Sequence, residues 1–361
     1  MIRVLVGVLG GLLVGLMLVE IFVAFLLPRR VKRDPKIVRS VFRYAWGPWR
    51  RLARMLPAQA ADTLLGVYGP FGLLLNLVLW VAVMMLGYAC LQWAGGSHLA
   101  LGGKVDFGND LYFSAGTMAA STPAGLGAQT TFARAVQVID AASGLAVIAI
   151  VIGYLPSLYQ AFSRREATVS QLDARAGSPP SAGRLVVRST QRDGWPALNR
   201  YLSSWETWVA ELMETHLAYP VLAYFRSQHV NQNWLSAMCT VLDTCAFTIA
   251  AAPRGTVDAA RFTFAIARHA VVDLSYSFHV EPTPPAADRL PLKDLEELLR
   301  QLREVGVEPA APSAEIHARL QKMRSSYEPY VSALGERLEL GLPMWLAPES
   351  PTDNWRTTEW H

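Results

Sequence analysis

Three stretches of the chain are apolar almost without interruption. Residues 4–27 hold no Lys or Arg and a single acid, Glu20. At about 1.5 Å per residue such a run crosses a hydrocarbon core of roughly 30 Å. Residues 70–93 form a second run, broken by Gly95-Gly96-Ser97, and residues 132–162 form a third, closed by Ser163-Arg164-Arg165-Glu166. Between the second and third, residues 110–121 mix Leu111, Phe113, Ala115, Met118 and Ala119 with small residues. That segment is too short to span, and the pattern predicts a short buried helix. It runs into Thr122-Pro123-Ala124-Gly125-Leu126-Gly127. A short helix, a Gly-containing turn and a long apolar helix, in that order, describe a re-entrant loop followed by a helix that lines a path. Irregular backbone at membrane depth is tolerated only where it is buried in protein or faces water.

Basic residues set the orientation. Pro28-Arg29-Arg30-Val31-Lys32-Arg33 follows the first run, and the block continues through Lys36, Arg39, Arg43, Arg50, Arg51 and Arg54, interleaved with Phe42, Tyr44, Trp46 and Trp49. This mix suits a segment lying against anionic headgroups, so membrane lipid is an expected partner. By the positive-inside rule the block is cytoplasmic, which places the N-terminus outside. Arg164 and Arg165 then fall on the same side. A secretory signal peptide is the competing reading of the first run; the length of the run and the lack of a small-x-small cleavage site after it favour a membrane helix.

Of 361 residues, 52% are hydrophobic and 17% charged, and the apolar excess lies before residue 165. The fold class expected is therefore an all-α membrane protein with three transmembrane helices, one re-entrant pore helix and filter loop, and an all-helical cytoplasmic C-terminal domain. The divisions are 1–28 for the first span, 29–69 for the basic interfacial segment, 70–165 for the outer helix, loop and inner helix, 166–194 for a linker, and 195–361 for the helical domain. Residues 235–252 are apolar enough to suggest a fourth span. Ser236, Thr240, Asp243, Thr244 and Thr248 instead read as one buried helix of a soluble bundle. The net charge of +4 follows the topology, so no nucleic-acid partner is expected. Cys90, Cys239 and Cys245 lack metal-ligand spacing and read as reduced thiols. Glu206, Glu211, Glu214, His216 and His229 lack the i, i+4 histidine pair of a zinc helix. No metal site, cofactor or catalytic residue is expected, nor an enzyme; the ligand of the helical domain is not readable.

A row of inward backbone carbonyls needs residues that adopt unusual dihedrals cheaply, and Gly125 and Gly127, alternating with Leu126, supply them. From about residue 70 to 177 the chain resembles the bacterial potassium channel family, a two-span, pore-loop architecture. The likeness lies in Leu111-Tyr112-Phe113-Ser114 opening the short helix, Gly125-Leu126-Gly127 in the filter position, and Val151-Ile152-Gly153-Tyr154-Leu155-Pro156 with the segments up to Gly177 at the inner-helix exit. The resemblance implies a homotetramer in the inner membrane, a selectivity filter of Thr122, Pro123, Ala124, Gly125, Leu126 and Gly127, and a permeant monovalent cation such as potassium. The chain departs from the family's Thr-Val-Gly-Tyr-Gly by carrying Pro123-Ala124 for Thr-Val, Leu126 for Tyr and Ala128 after the second glycine. A pore of altered selectivity, non-selective or anion-conducting, and a non-conducting membrane receptor therefore stand as alternatives. Residues 114–132 contain no basic side chain, which favours cations. Asp140 reads either as a cavity acid that concentrates cations or as a structural hydrogen-bonding group. Gly144 reads either as a gating hinge or as a point of close helix packing.

Overall fold

The computed structural model describes residues 1–26, 37–99, 106–121, 123–227 and 231–346. All regular structure among them is helical. The chain divides into two units, Met1–Tyr159 and Gln160–His361.

The first unit begins with α1 (Ile2–Leu26), α2 (Ile37–Ala53) and α3 (Ala58–Ala94). α1 and α3 approach through small residues. A β-carbon on Gly10 would lie 2.6 Å from the Gly87 carbonyl oxygen, and one on Gly87 would lie 2.8 Å from Val14 Cγ2. Where lipid removes the hydrophobic drive between helices, such backbone proximity gains dispersion energy instead. Met17 and Ile21 then meet Trp80, Met84 and Tyr88 in a common core. α2 lays Trp46 and Trp49 on the start of α3. Trp49 Nε1 donates to the Leu64 carbonyl at 3.0 Å, and the Trp46 ring meets Tyr68 edge-on at 4.7 Å. α3 starts before the expected outer span and runs through Pro70, because the Ala-rich stretch after Pro57 extends it. α4 (Phe107–Met118) is short, and α5 (Thr131–Ala176) is 46 residues long with the unit boundary inside it.

The second unit holds the end of α5, then α6 (Ala182–Thr190), α7 (Gly194–Ala218), α8 (Trp234–Ala251), α9 (Asp258–Phe278), α10 (Leu292–Glu304), α11 (Ser313–Arg324) and α12 (Glu328–Leu338). Residues 166–194, expected as a linker, fold as the last turns of α5, a tight turn with Ser178 and Ser181 buried, and α6. Arg-Arg-Glu-Ala after Ser163 is good helix material, and Ser181 caps α6 by accepting from the Arg184 amide at 3.3 Å.

Among the described residues four helices, α1, α3, α5 and α8, are long and apolar enough to cross a membrane. Their surroundings separate them. In α8, 94% of the apolar stretch is buried inside its own unit, against 28%, 44% and 22% in α1, α3 and α5. The latter three expose large apolar side chains along their length, among them Leu12, Leu74, Val78, Leu145 and Ile152. Apolar surface on that scale marks faces that lipid or another protein covers. α8 satisfies its polar groups internally: the hydroxyls of Thr240, Thr244 and Thr248 each donate to the carbonyl four residues back. Its Asp243 receives Arg289 through both guanidinium NH2 groups, at 2.6 and 3.3 Å, and the Tyr327 hydroxyl at 2.5 Å. Arg289 and Arg324 share Glu328, both at 3.0 Å, and Arg324 also reaches Asp288 at 2.6 Å. These buried charges are mutually compensated.

A second polar node ties the end of α5 to α7 and the 3-10 turn Pro220–Tyr224. Arg165 is buried; it donates to the carbonyls of Leu222 and Phe225, both at 2.8 Å, and through NH1 to His216 Nε2 at 3.2 Å. His216 Nδ1 therefore carries the proton and donates to the Leu212 carbonyl at 2.8 Å. Burial, and then the Arg165 charge, hold this imidazole down at about 3. With the folded value below the ordinary 6.5, the unfolded chain takes the proton first. The contribution to stability is whole above pH 6.5 and is lost as pH falls from there toward about 3. Thermal unfolding of the full chain followed by circular dichroism should show a midpoint that drops between about pH 7 and pH 5. His216→Gln, whose amide oxygen still accepts from Arg165 and gains no proton, should flatten that drop.

Candidate functional site

Several buried polar residues of the first unit, Asp110, Ser114, Thr117 and Asp140, lie on α4 and α5 around the loop between them. Asp106 caps α4, its carboxylate accepting from the Asn109 amide at 2.9 Å. Asp110 stands in the first turn, where the helix dipole favours a negative charge, and is fully buried. Its Oδ2 accepts from the Ser97 hydroxyl at 2.7 Å. Asp110, Ser114 and Thr117 recur at i, i+4 and i+7, so one buried face of α4 is polar. The helix is closed by the Ala120 amide on the Thr117 carbonyl at 3.0 Å and the Ser121 amide on the Gly116 carbonyl at 2.8 Å. The Pro123 ring then folds back onto Gly116.

Of the six loop residues singled out by sequence, Thr122 lies outside the described residues. Pro123 is buried, and its carbonyl accepts from the Leu126 amide at 3.1 Å, making a turn over Ala124 and Gly125. Gly125 has φ +78°, a left-handed conformation that L side chains rarely adopt, and no neighbour crowds it. Ala124 and Gly125 are the exposed crest. Leu126 turns away from that crest and packs on Leu99, Phe113 and Ala133. The way back to α5 pairs with the segment following α3: the Gly127 amide donates to the Leu99 carbonyl at 2.6 Å and the Gln129 amide to the His98 carbonyl at 3.0 Å. Two side chains close this end. Gln129 Nε2 donates to the Gly127 carbonyl at 2.6 Å, and Arg134 Nε donates to the Ala128 carbonyl at 3.2 Å.

Asp140 is 2% exposed within the chain and faces Ser114 of α4. It belongs to a buried stripe of α5 with Ala133, Val136, Ser143 and Val147. Along the same stripe Tyr88 and Ser143 hydroxyls meet at 2.6 Å, Ser143 donates to the Ile139 carbonyl at 2.8 Å, and Gln92 Nε2 donates to the Ala133 carbonyl at 3.1 Å. These bonds fasten α5 to α3. Gly144 lies one turn after Asp140, against the end of α4. A β-carbon there would stand 2.3 Å from the Met118 carbonyl oxygen and 2.8 Å from Met118 Cα. Close packing is what the structure shows at this glycine.

Sequence reasoning reaches the loop, Asp140 and Gly144 but misses the groups that hold them. Arg134 lies just outside the 114–132 window, although a basic residue so near the start of a long apolar run is a signal. The Ser97–Asp110 and Tyr88–Ser143 pairs carry no spacing signal, since their partners are far apart in the chain. Chemically, the site offers backbone carbonyls and amides on an exposed turn backed by apolar packing. No protein-family model, no curated protein and no solved structure matches the chain.

Two glycine substitutions should separate two causes. Gly144→Ala pushes a methyl into the α4 backbone and should cost about 1–3 kcal/mol of stability, as overpacking does. Gly125→Ala meets open space and should cost only the left-handed strain, about 1–2 kcal/mol. Gly153→Ala, on the same helix as Gly144 but with no atom near its added methyl, should gain about 0.5–1 kcal/mol from helix propensity alone and is the control for that term. Unfolding midpoints in detergent check all three.

Proposed function

We propose that the chain is one subunit of a homotetrameric cation pore in the plasma membrane, potassium-like by resemblance. α1, α3 and α5 span the bilayer, with the N-terminus outside and the second unit in the cytoplasm. α4 is the re-entrant pore helix, since a 12-residue helix, at about 1.5 Å per residue, falls short of a bilayer core of roughly 30 Å. The observation that carries the reading is the turn itself. Gly125 holds a left-handed conformation on an exposed crest while Leu126 is drawn behind it into the Leu99 and Phe113 cluster. Backbone groups, rather than side chains, are thus left to face the path, which is how a carbonyl filter replaces an ion's hydration shell. Leu126 anchors the loop by packing where the family's tyrosine anchors by hydrogen bonding.

Asp140 takes the structural role in this reading, buried between α4 and α5 beneath the loop. Gly144 takes the packing role. Sequential continuity through α5 gives the cytoplasmic helices a covalent route to the inner helix.

The test is the reversal potential of the purified protein in planar bilayers under asymmetric potassium chloride, with sodium then replacing potassium. The expected result is reversal on the potassium side of zero that moves when sodium is substituted. Reversal at the chloride potential would overturn cation conduction, and reversal at zero would overturn selectivity.

A further inference from the structure

We infer that Gln129 and Arg134 act as a lip on the loop, capping the Gly127 and Ala128 carbonyls and favouring monovalent over divalent cations. The inference rests on the cation-path reading above. The Gly127 carbonyl accepts the Gln129 amide and the Ala128 carbonyl accepts the Arg134 guanidinium, while both side chains remain exposed to solvent. A carbonyl that coordinates a passing ion must turn its lone pairs to the path, and a carbonyl that accepts an N–H has one direction taken and part of its charge offset.

The two caps differ in kind. Gln129 competes for its carbonyl without adding charge. Arg134 adds a permanent positive charge at the end of the loop that joins α5, and a ring of subunits repeats it around the mouth. Coulomb repulsion scales with the charge of the entering ion, so a divalent cation is opposed twice as strongly as a monovalent one. The lip therefore works against the attraction of the carbonyls and grades cations by valence. Arg134 is placed for this by α5, whose first turn returns its side chain to Ala128 once Thr130 has begun the helix by accepting from the Ala133 amide at 3.2 Å.

Single-channel currents of the wild type, Arg134→Gln, Arg134→Lys and Gln129→Glu test the inference. Arg134→Gln should raise entry-limited cation current several-fold in about 0.01 M salt, where screening reaches about 30 Å, and match the wild type in about 1 M salt, where it reaches about 3 Å. Magnesium added on that side should block Arg134→Gln at lower concentration than it blocks the wild type. Arg134→Lys keeps the charge and should keep the wild-type salt dependence. Gln129→Glu loses the donor, gains a negative charge beside the same carbonyl, and should raise low-salt current in the same direction; it carries the test if Arg134→Gln fails to assemble. A conducting wild type whose variants show unchanged salt dependence and magnesium block overturns the lip and leaves the path standing. Wild type and variants that all pass no cation current overturn the path and the lip together.

Discussion

The end of α4 rests on α5 with no side chain between them. The Met118 carbonyl meets the backbone of Gly144 so closely that a single methyl there would come within 2.3 Å of it. Everything nearby takes its place from that contact. One turn back along each helix, Ser114 comes to face Asp140, because residues four apart share a helical face. Gly116, two residues before Met118, leaves room for the Pro123 ring, so the chain can reverse at once after the helix. The reversal lifts Ala124 and Gly125 to the surface and sends Leu126 behind them.

Polar groups are treated differently in the two units. In the first, the buried stripe between α3 and α5 is held by neutral pairs, Tyr88 with Ser143 and Gln92 with the Ala133 carbonyl. Each such bond is worth about 0.5–1.5 kcal/mol net, yet leaving either partner bare in hydrocarbon would cost more. In the second, the core helix α8 carries a charge, Asp243, and Arg289, Glu328, Arg324 and Asp288 extend its compensation outward to half-exposed positions. Removing one member of such a buried pair costs about 3–5 kcal/mol, because the other is stranded. The two buried acids around the loop, Asp110 and Asp140, have hydroxyls beside them instead, those of Ser97 and Ser114.

The loop reads as a balance. Leu126, Leu99 and Phe113 fix it from behind by packing, and Gly127 and Gln129 fix it by pairing with the segment after α3. Its exposed crest is left with backbone chemistry alone. At the far end the Gln129 and Arg134 side chains take up carbonyls that would otherwise be free, so the same turn that offers oxygen atoms also limits them.

Much of this is legible without coordinates. Residues 4–27, 70–93 and 132–162 are apolar over a membrane's width, which only lipid or a large core accommodates, and the position of Gly125 between a short helix and a long one marks the turn. The acid Asp243 among the threonines of 236–248 points α8 to a core, because a buried carboxylate needs a basic partner, and Arg289 supplies it at 2.6 Å. What the sequence determined by itself was the three long apolar stretches and the place of the glycine turn, because each depends on residues close together in the chain; the helices around two of those stretches, α3 and α5, run well past the expected ends. Only the tertiary structure decided that Gly144 packs on Met118, that Asp140 faces Ser114, and that Arg134 returns to cap Ala128. Those are contacts between helices or across a turn, and the side-chain pattern along a single segment carries no record of which faces will meet.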